Sequence, residues 1–146
     1  MDEIDLILIE DNDDDAELTI DAIRNDHQYI KFVHLRDGEE ALDYVRAMKP
    51  QLEKSPTRLP RLFLIDIKMP KVSGLDVLRE LKSDLFFQKV PVVIFTSSSE
   101  LDDITQAYSL GANSYVVKPL EFQLFMSTIS RMAAYWFKVN QTRAII

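Results

Sequence analysis

The chain has 146 residues, enough for one domain around one core, and its 47% hydrophobic and 28% charged residues are an ordinary globular balance. Its 24 acidic residues against 17 basic ones leave a formal charge of −7, the wrong sign for a nucleic-acid surface or for docking on anionic lipid. It has no cysteine, no apolar run near the roughly 18 residues of a membrane helix, and an acidic "MDEID" start where a signal peptide would be basic, so disulfides, thiolate chemistry and Cys-ligated zinc are excluded and a cytoplasmic protein is expected.

In chain order, "DLILIE" (5–10) is a short apolar run closed by charge, the pattern of a buried strand. "DDAELTIDAIRND" (14–26) carries Leu18, Ala22 and Ile23 at helical spacing, with Asp14 as the expected N-cap and Glu17 three residues on. "IKFVHL" (30–35) predicts a second strand and "GEEALDYVRAM" (38–48) a second helix with Ala41, Leu42, Val45 and Met48 on one face. "KPQLEKSPTRLP" (49–60), with its prolines, predicts a long loop. "RLFLID" (61–66) is a third strand that ends in an acid, followed by a turn and the short helix "LDVLRELKS" (75–83). The β-branched run "VPVVIFT" (90–96) predicts a central strand, "SELDDITQAYSLG" (99–111) a helix stopped by Gly111, and "SYVV" (114–117) the fifth strand. Lys118 and Pro119 then lead into a long helix from about Glu121 to Phe137. Strands that are continuous apolar runs, alternating with helices, predict a doubly wound α/β fold with a five-stranded parallel sheet and helices on both faces.

Ligands of such sheets bind outside the carboxyl ends of the strands. The residues expected there are Glu10 and Asp11 after strand one, Asp66 after strand three, Thr96 after strand four and Lys118 after strand five. Two carboxylates about 5 Å apart repel by about 3 kcal/mol at an effective dielectric of 20. Three together therefore call for cations: Lys118 is one, and with only oxygen donors at hand Mg²⁺ is the natural second. A carboxylate, Mg²⁺, a hydroxyl and a lysine make a phosphoryl-transfer site, with Asp66 as the expected nucleophile.

These residues, in "ED" after strand one, "LIDIKMP", "FTS" and "YVVKP", resemble the receiver domain of two-component response regulators from about Asp5 to Arg131. The resemblance implies a flavodoxin-like sheet of order 2-1-3-4-5 and a single receiver domain over 1–146, with a body of about 5–137 and a short tail, 138–146. It implies Asp66 as phospho-acceptor, Mg²⁺ held by Glu10, Asp11, Asp66 and the backbone carbonyl of Lys68, and Thr96 and Tyr115 as switch residues. Lys118 would pair with the phosphate, and the Lys118–Pro119 bond would be cis. The donor would be a histidine kinase, and the output a phosphorylation-dependent contact with a downstream protein, since no output domain is seen. The loop 49–60, "FTSSSE" and the "YWF" ending are similar to the single-domain regulators that partner bacterial phytochromes.

Plainer readings stand beside these. Asp13, Asp14 and Asp15 read as a cap and a solvated first turn, so Asp15→Ala is expected to leave metal binding and phosphorylation nearly intact. His27 and His34 have no partner at metal spacing and read as surface or satisfied residues. Phe122, Phe125, Ile129, Met132 and Trp136 fall at spacing 3-4-3-4 and predict the core stripe of the last helix. Leu124, Met126, Tyr135, Phe137 and Val139 lie outside it and suggest a dimer or partner surface formed by this helix and the tail. A phosphatase of the haloacid-dehalogenase kind, working through an aspartyl phosphate, would want an acid two residues after the nucleophile, where Lys68 stands. A receiver that binds partners without phosphorylation is the other alternative, although every chemical group is retained. The chain is therefore expected to be a signalling acceptor and not a turnover enzyme.

Overall fold

The computed structural model describes residues 3–55 and 59–141. Five four- or five-residue strands, β1 Leu6–Ile9, β2 Phe32–Leu35, β3 Leu62–Ile65, β4 Val92–Thr96 and β5 Ser114–Val117, pair in parallel in the order β2-β1-β3-β4-β5. Five helices alternate with them: α1 Asp13–Asp26, α2 Gly38–Lys54, α3 Gly74–Ser83, α4 Leu101–Ser109 and α5 Phe122–Ala134. Among the described residues no helix is long and apolar enough to cross a membrane.

The continuous apolar strands bury both faces. Ile7, Ile9, Phe63, Ile65, Val92 and Ile94 point to one side, where Val45 and Leu52 of α2, Leu78 and Leu81 of α3 and Ala107 of α4 meet them. Leu6, Leu8, Leu62, Leu64, Val93 and Phe95 point to the other, against Ala22 and Ile23 of α1 and Phe125, Ile129 and Ala133 of α5. This period-two division is what a pleated strand covered on both sides requires. Edge-to-face aromatic pairs tie each side, Phe63–Phe87 at 5.9 Å and Phe95–Phe125 at 5.2 Å between ring centroids.

Three expectations change. The long loop 49–60 is helical through Lys54, with Pro50 inside α2. A proline in a helix forfeits a hydrogen bond and costs about 3 kcal/mol, and the complete burial of Leu52 beyond it, in line with Ala41 and Val45, offsets this. Residues 56–58 of that loop lie outside the described residues. The N-cap of α1 is Asn12, whose Oδ1 accepts from Asp15 N at 2.9 Å, and not Asp14. An amide oxygen there satisfies a helix-end donor as well as a carboxylate does.

The stripe of the last helix also shifts. Phe125 and Ile129 are buried as expected, joined by Ala133 and Phe137, while Met132 and Trp136 are half-buried and Phe122 is exposed. For Phe137 the cause is a π-helical segment, Tyr135–Val139, closed by Asn140 N donating to Tyr135 O at 2.6 Å. Its wider turn changes the phase of the helix. Phe137 swings inward, where Arg61 donates to its carbonyl at 2.7 Å and lies over its ring.

Candidate active site

The carboxyl ends of β1 and β3 flank the point where the strand order reverses, the place where an open α/β sheet leaves a crevice. Ladder bonds run just past the strands and set the crevice geometry. Glu10 N donates to Leu35 O at 3.0 Å, Asp66 N to Ile9 O at 3.0 Å, and Lys118 N to Thr96 O at 2.7 Å. Glu10, Asp66 and Lys118 are thus placed by backbone pairing that continues just past the strand before each. Gly74, at the start of α3, lets that helix approach closely: a Cβ there would stand 2.1 Å from the Asp66 carbonyl oxygen.

The structure brings Glu10, Asp11 and Asp66 together, with one carboxylate oxygen of each within 4.8 Å of the others. Glu10 and Asp66 are only 2% and 6% exposed, whereas Asp11 faces solvent. Lys118 lies among them. Its ammonium contacts Glu10 Oε1 at 2.6 Å, Asp15 Oδ2 at 2.8 Å and Asp66 Oδ2 at 3.0 Å, and its side chain is 8% exposed. Asp15 therefore leaves the solvated turn to which its position in the sequence assigned it and joins the site.

Four carboxylates around one ammonium leave an excess of negative charge. Burial, then the charge of Asp66, push the Glu10 carboxyl up to about 8 in spite of its contact with Lys118. For Lys118 burial acts downward, but hydrogen bonds to Asp15 and Glu10 and the charge of Asp66 outweigh it and raise the ammonium above its usual range. An all-oxygen set of mutually repelling carboxylates, two buried and one open to solvent, fits a divalent cation of the Mg²⁺ type. Lys68 adjoins this set through its backbone, its N–H donating to Asp66 Oδ1 at 3.2 Å.

The other expected residues sit beside the cluster. Thr96 is fully buried, and its Oγ1 accepts from Ser98 N at 3.5 Å. Tyr115 is half-buried and donates from its hydroxyl to Ser98 O at 2.8 Å. Ser98 is thus in contact with both expected switch residues. Its own hydroxyl donates to Asp103 Oδ2 at 2.5 Å, and Lys68 Nζ pairs with the same oxygen at 3.3 Å. The Ser98 hydroxyl, then Lys68, hold the Asp103 carboxyl below its usual range, with burial opposing them. Sequence reasoning did not find Ser98 or Asp103: both sit in or just after the β4–α4 turn, where a serine and an aspartate are ordinary helix-start residues.

The Lys118–Pro119 bond is a correction: all described peptide bonds are trans. The trans form is the ordinary preference, by about 0.5–1 kcal/mol for a bond before proline, and Lys118 is already held at its amide and at its ammonium. His34 is a satisfied residue, its Nε2 2.8 Å from the Glu10 carbonyl oxygen. His27 is buried, with Nδ1 3.4 Å from the Tyr29 hydroxyl and Nε2 unpartnered, and burial lowers its pKa.

Comparison with known proteins agrees with this geometry. A family model described as the response regulator receiver domain matches residues 6–130. The chain is 36% identical over 137 residues to the probable methanogenesis regulatory protein FilR2 of Methanothrix harundinacea, covering 94% of this chain and 86% of that protein. It is 28% identical over 133 residues to the response regulator Rcp1 of Synechocystis sp., covering 91% of this chain and 88% of the relative. A solved Mn(2+)-bound form of Rcp1 matches with a TM-score of 0.80 at 26% identity, over 96% of this chain and 99% of the other. The phosphorylated cyanobacterial phytochrome response regulator RcpA matches with a TM-score of 0.86 at 29% identity, over 98% of this chain and 100% of the other.

Proposed function

Because the chain belongs to the response regulator receiver domain family, we propose that it accepts a phosphoryl group on Asp66 from a histidine kinase and signals by a change in protein contacts. The observation that carries this reading is the buried Asp66 carboxylate held at 3.0 Å by Lys118 inside a cluster of further carboxylates. An Asp66 oxygen attacks the phosphorus of a phosphohistidine. The new O–P bond replaces the P–N bond, whose electron pair leaves on the imidazole nitrogen and takes up a proton there. Lys118, already in contact with Asp66, neutralises charge on the phosphoryl oxygens.

Glu10, Asp11 and Asp66, with the Lys68 carbonyl, would hold Mg²⁺, a reading supported by the carboxylate cluster and by the Mn(2+)-bound relative. When bound, the ion supplies positive charge to the phosphoryl oxygens. A pH dependence follows from Glu10. A carboxyl raised in the folded state favours folding below its unfolded value, and this contribution is lost as pH rises through about 8. Mg²⁺ needs the carboxylate, so its binding releases a proton near neutral pH and tightens between about pH 6 and pH 8. Calorimetry in buffers of different ionisation heat reads the released proton directly; an affinity independent of both pH and buffer would contradict it.

The switch runs through Ser98. When Thr96 turns its hydroxyl to the phosphoryl group it gives up Ser98 N, and Ser98 O is the acceptor of the Tyr115 hydroxyl. Movement of one residue thereby frees the tyrosine ring. The phosphatase alternative is disfavoured by Lys68, which stands where the general acid would be and is paired with Asp103.

The donor fits a phytochrome-type kinase by the likeness to RcpA, and the absence of cysteine suits a cytoplasmic reaction. Labelling of the protein by acetyl phosphate with Mg²⁺ tests the acceptor. Transfer from a panel of autophosphorylated histidine kinases, phytochrome-type ones included, tests the donor. The contact surface is the exposed face of α5 and the π-helical segment, with Leu120, Phe122, Leu124, Tyr135 and Val139 exposed; residues 142–146 of the tail lie outside the described residues. Sedimentation is expected to show a homodimer at high protein concentration, and a strict monomer with and without phosphorylation would remove that assignment.

A further inference from the structure

Asp15 has no part in the phosphoryl-transfer scheme above, yet its carboxylate touches the lysine on which that scheme depends. An ammonium has three N–H donors and no acceptor. In this site each has its own carboxylate: Glu10 Oε1 at 2.6 Å, Asp15 Oδ2 at 2.8 Å and Asp66 Oδ2 at 3.0 Å. The three acceptors come from the end of β1, the first turn of α1 and the end of β3, so the lysine is gripped from three elements and its head cannot rotate freely.

The three partners are not equivalent. Asp66 is the group that is esterified, and Glu10 is a metal ligand in the proposed scheme. Asp15 is the one partner of Lys118 with no second task. It is also held at its backbone. Its N–H donates to the N-cap Asn12 at 2.9 Å, and its carbonyl accepts from the buried Thr19 hydroxyl at 2.7 Å. A fixed anchor for the lysine that survives the change at Asp66 is what a group meeting a new phosphoryl oxygen needs, since small misplacements of a charge at a reacting centre cost rate steeply.

We propose that Asp15 is a positioning residue for phosphoryl transfer, anchoring the Lys118 ammonium over Asp66 from the first turn of α1. This rests on the acceptor role of Asp66 and replaces the reading of Asp15 as a solvated helix-start residue. The chemistry asked of it is a hydrogen-bond acceptor at the Oδ position, and a neutral amide oxygen can supply that as well.

The test compares Asp15→Asn with Asp15→Ala, reading the initial rate of labelling by acetyl phosphate at saturating Mg²⁺ and, separately, the Mg²⁺ affinity. Both variants lose the same charge, so an effect of charge alone moves them together. Positioning separates them: Asp15→Ala is expected to label about 10-fold more slowly, and Asp15→Asn to return to within about 2-fold of the unaltered protein. Their Mg²⁺ affinities should match each other. Asp15→Ser suits a helix start but falls short of the lysine, and it should reproduce the alanine rate, which guards against a folding defect peculiar to alanine. Equal rates in the Asn and Ala variants, or no loss in either, would overturn the proposal. Failure of the unaltered protein to label at all would instead remove the acceptor reading on which it rests.

Discussion

Asp66→Asn is expected to lose labelling by acetyl phosphate and by any histidine kinase, with the rate falling at least about 100-fold, to background. The substitution keeps the shape of the side chain and removes the nucleophilic carboxylate. It should not unfold the protein. The amide oxygen can still accept from Lys118 or from Lys68 N, the contacts now made by Asp66 Oδ2 and Oδ1 at 3.0 and 3.2 Å. Loss of its charge also relieves Glu10, since Asp66 is second only to burial in pushing that carboxyl upward. The expected pattern is therefore no label, unchanged or slightly raised denaturation midpoint, and a Glu10 that ionises at lower pH. Full labelling of Asp66→Asn, confirmed by the mass of the intact protein, would move the acceptor to another residue.

The fold was legible because burial on both faces leaves a plain signature, short apolar runs without alternation, and because four of the five such runs here, all but the second, end at a residue of chemical consequence. Glu10, Asp66, Thr96 and Lys118 could be placed on one rim from the element assignments alone, and the structure puts them there. What could not be read depends on side chains reaching between elements. Asp15 and Lys118 are 103 residues apart, and nothing local marks Asp15 off from Asp13 and Asp14, which stay exposed at the same helix start. Pro50 reads as a helix stop to local rules, but Leu52 beyond it is pulled into the core. Phe137 was assigned to the exposed set because a constant helical period was assumed, and the π-helical segment breaks that period. The cis bond before Pro119 came from resemblance and not from the residues themselves.

Lys118→Met is expected to destabilise the metal-free protein by about 3 kcal/mol, the low end of what removing one partner of a buried ion pair costs. Methionine fills much of the same space, so the loss is of charge and not of packing. The Lys118 side chain is 8% exposed and the Glu10 side chain 3%, so water cannot fully take over the role of the ammonium. Asp11 and Asp15 are more open to solvent, which keeps the cost from the upper end of the range. The carboxylates left behind have two recourses. Glu10, already raised to about 8, can hold its proton to still higher pH, so the deficit should be larger at pH 9 than at pH 6. Mg²⁺ can replace the missing charge, and because a ligand stabilises the state it binds by an amount that grows with the logarithm of its affinity, the gain on adding Mg²⁺ should be larger for the variant than for the unaltered protein. Urea denaturation at two pH values with and without Mg²⁺ measures all four terms. A variant as stable as the unaltered protein in the presence of chelator would show that solvent already screens these carboxylates, and that the ammonium does not hold the site together. The same variant should label poorly even when Mg²⁺ has restored its stability, because the ion sits on the carboxylates while the phosphoryl oxygens lose the cation that stood at Asp66 Oδ2.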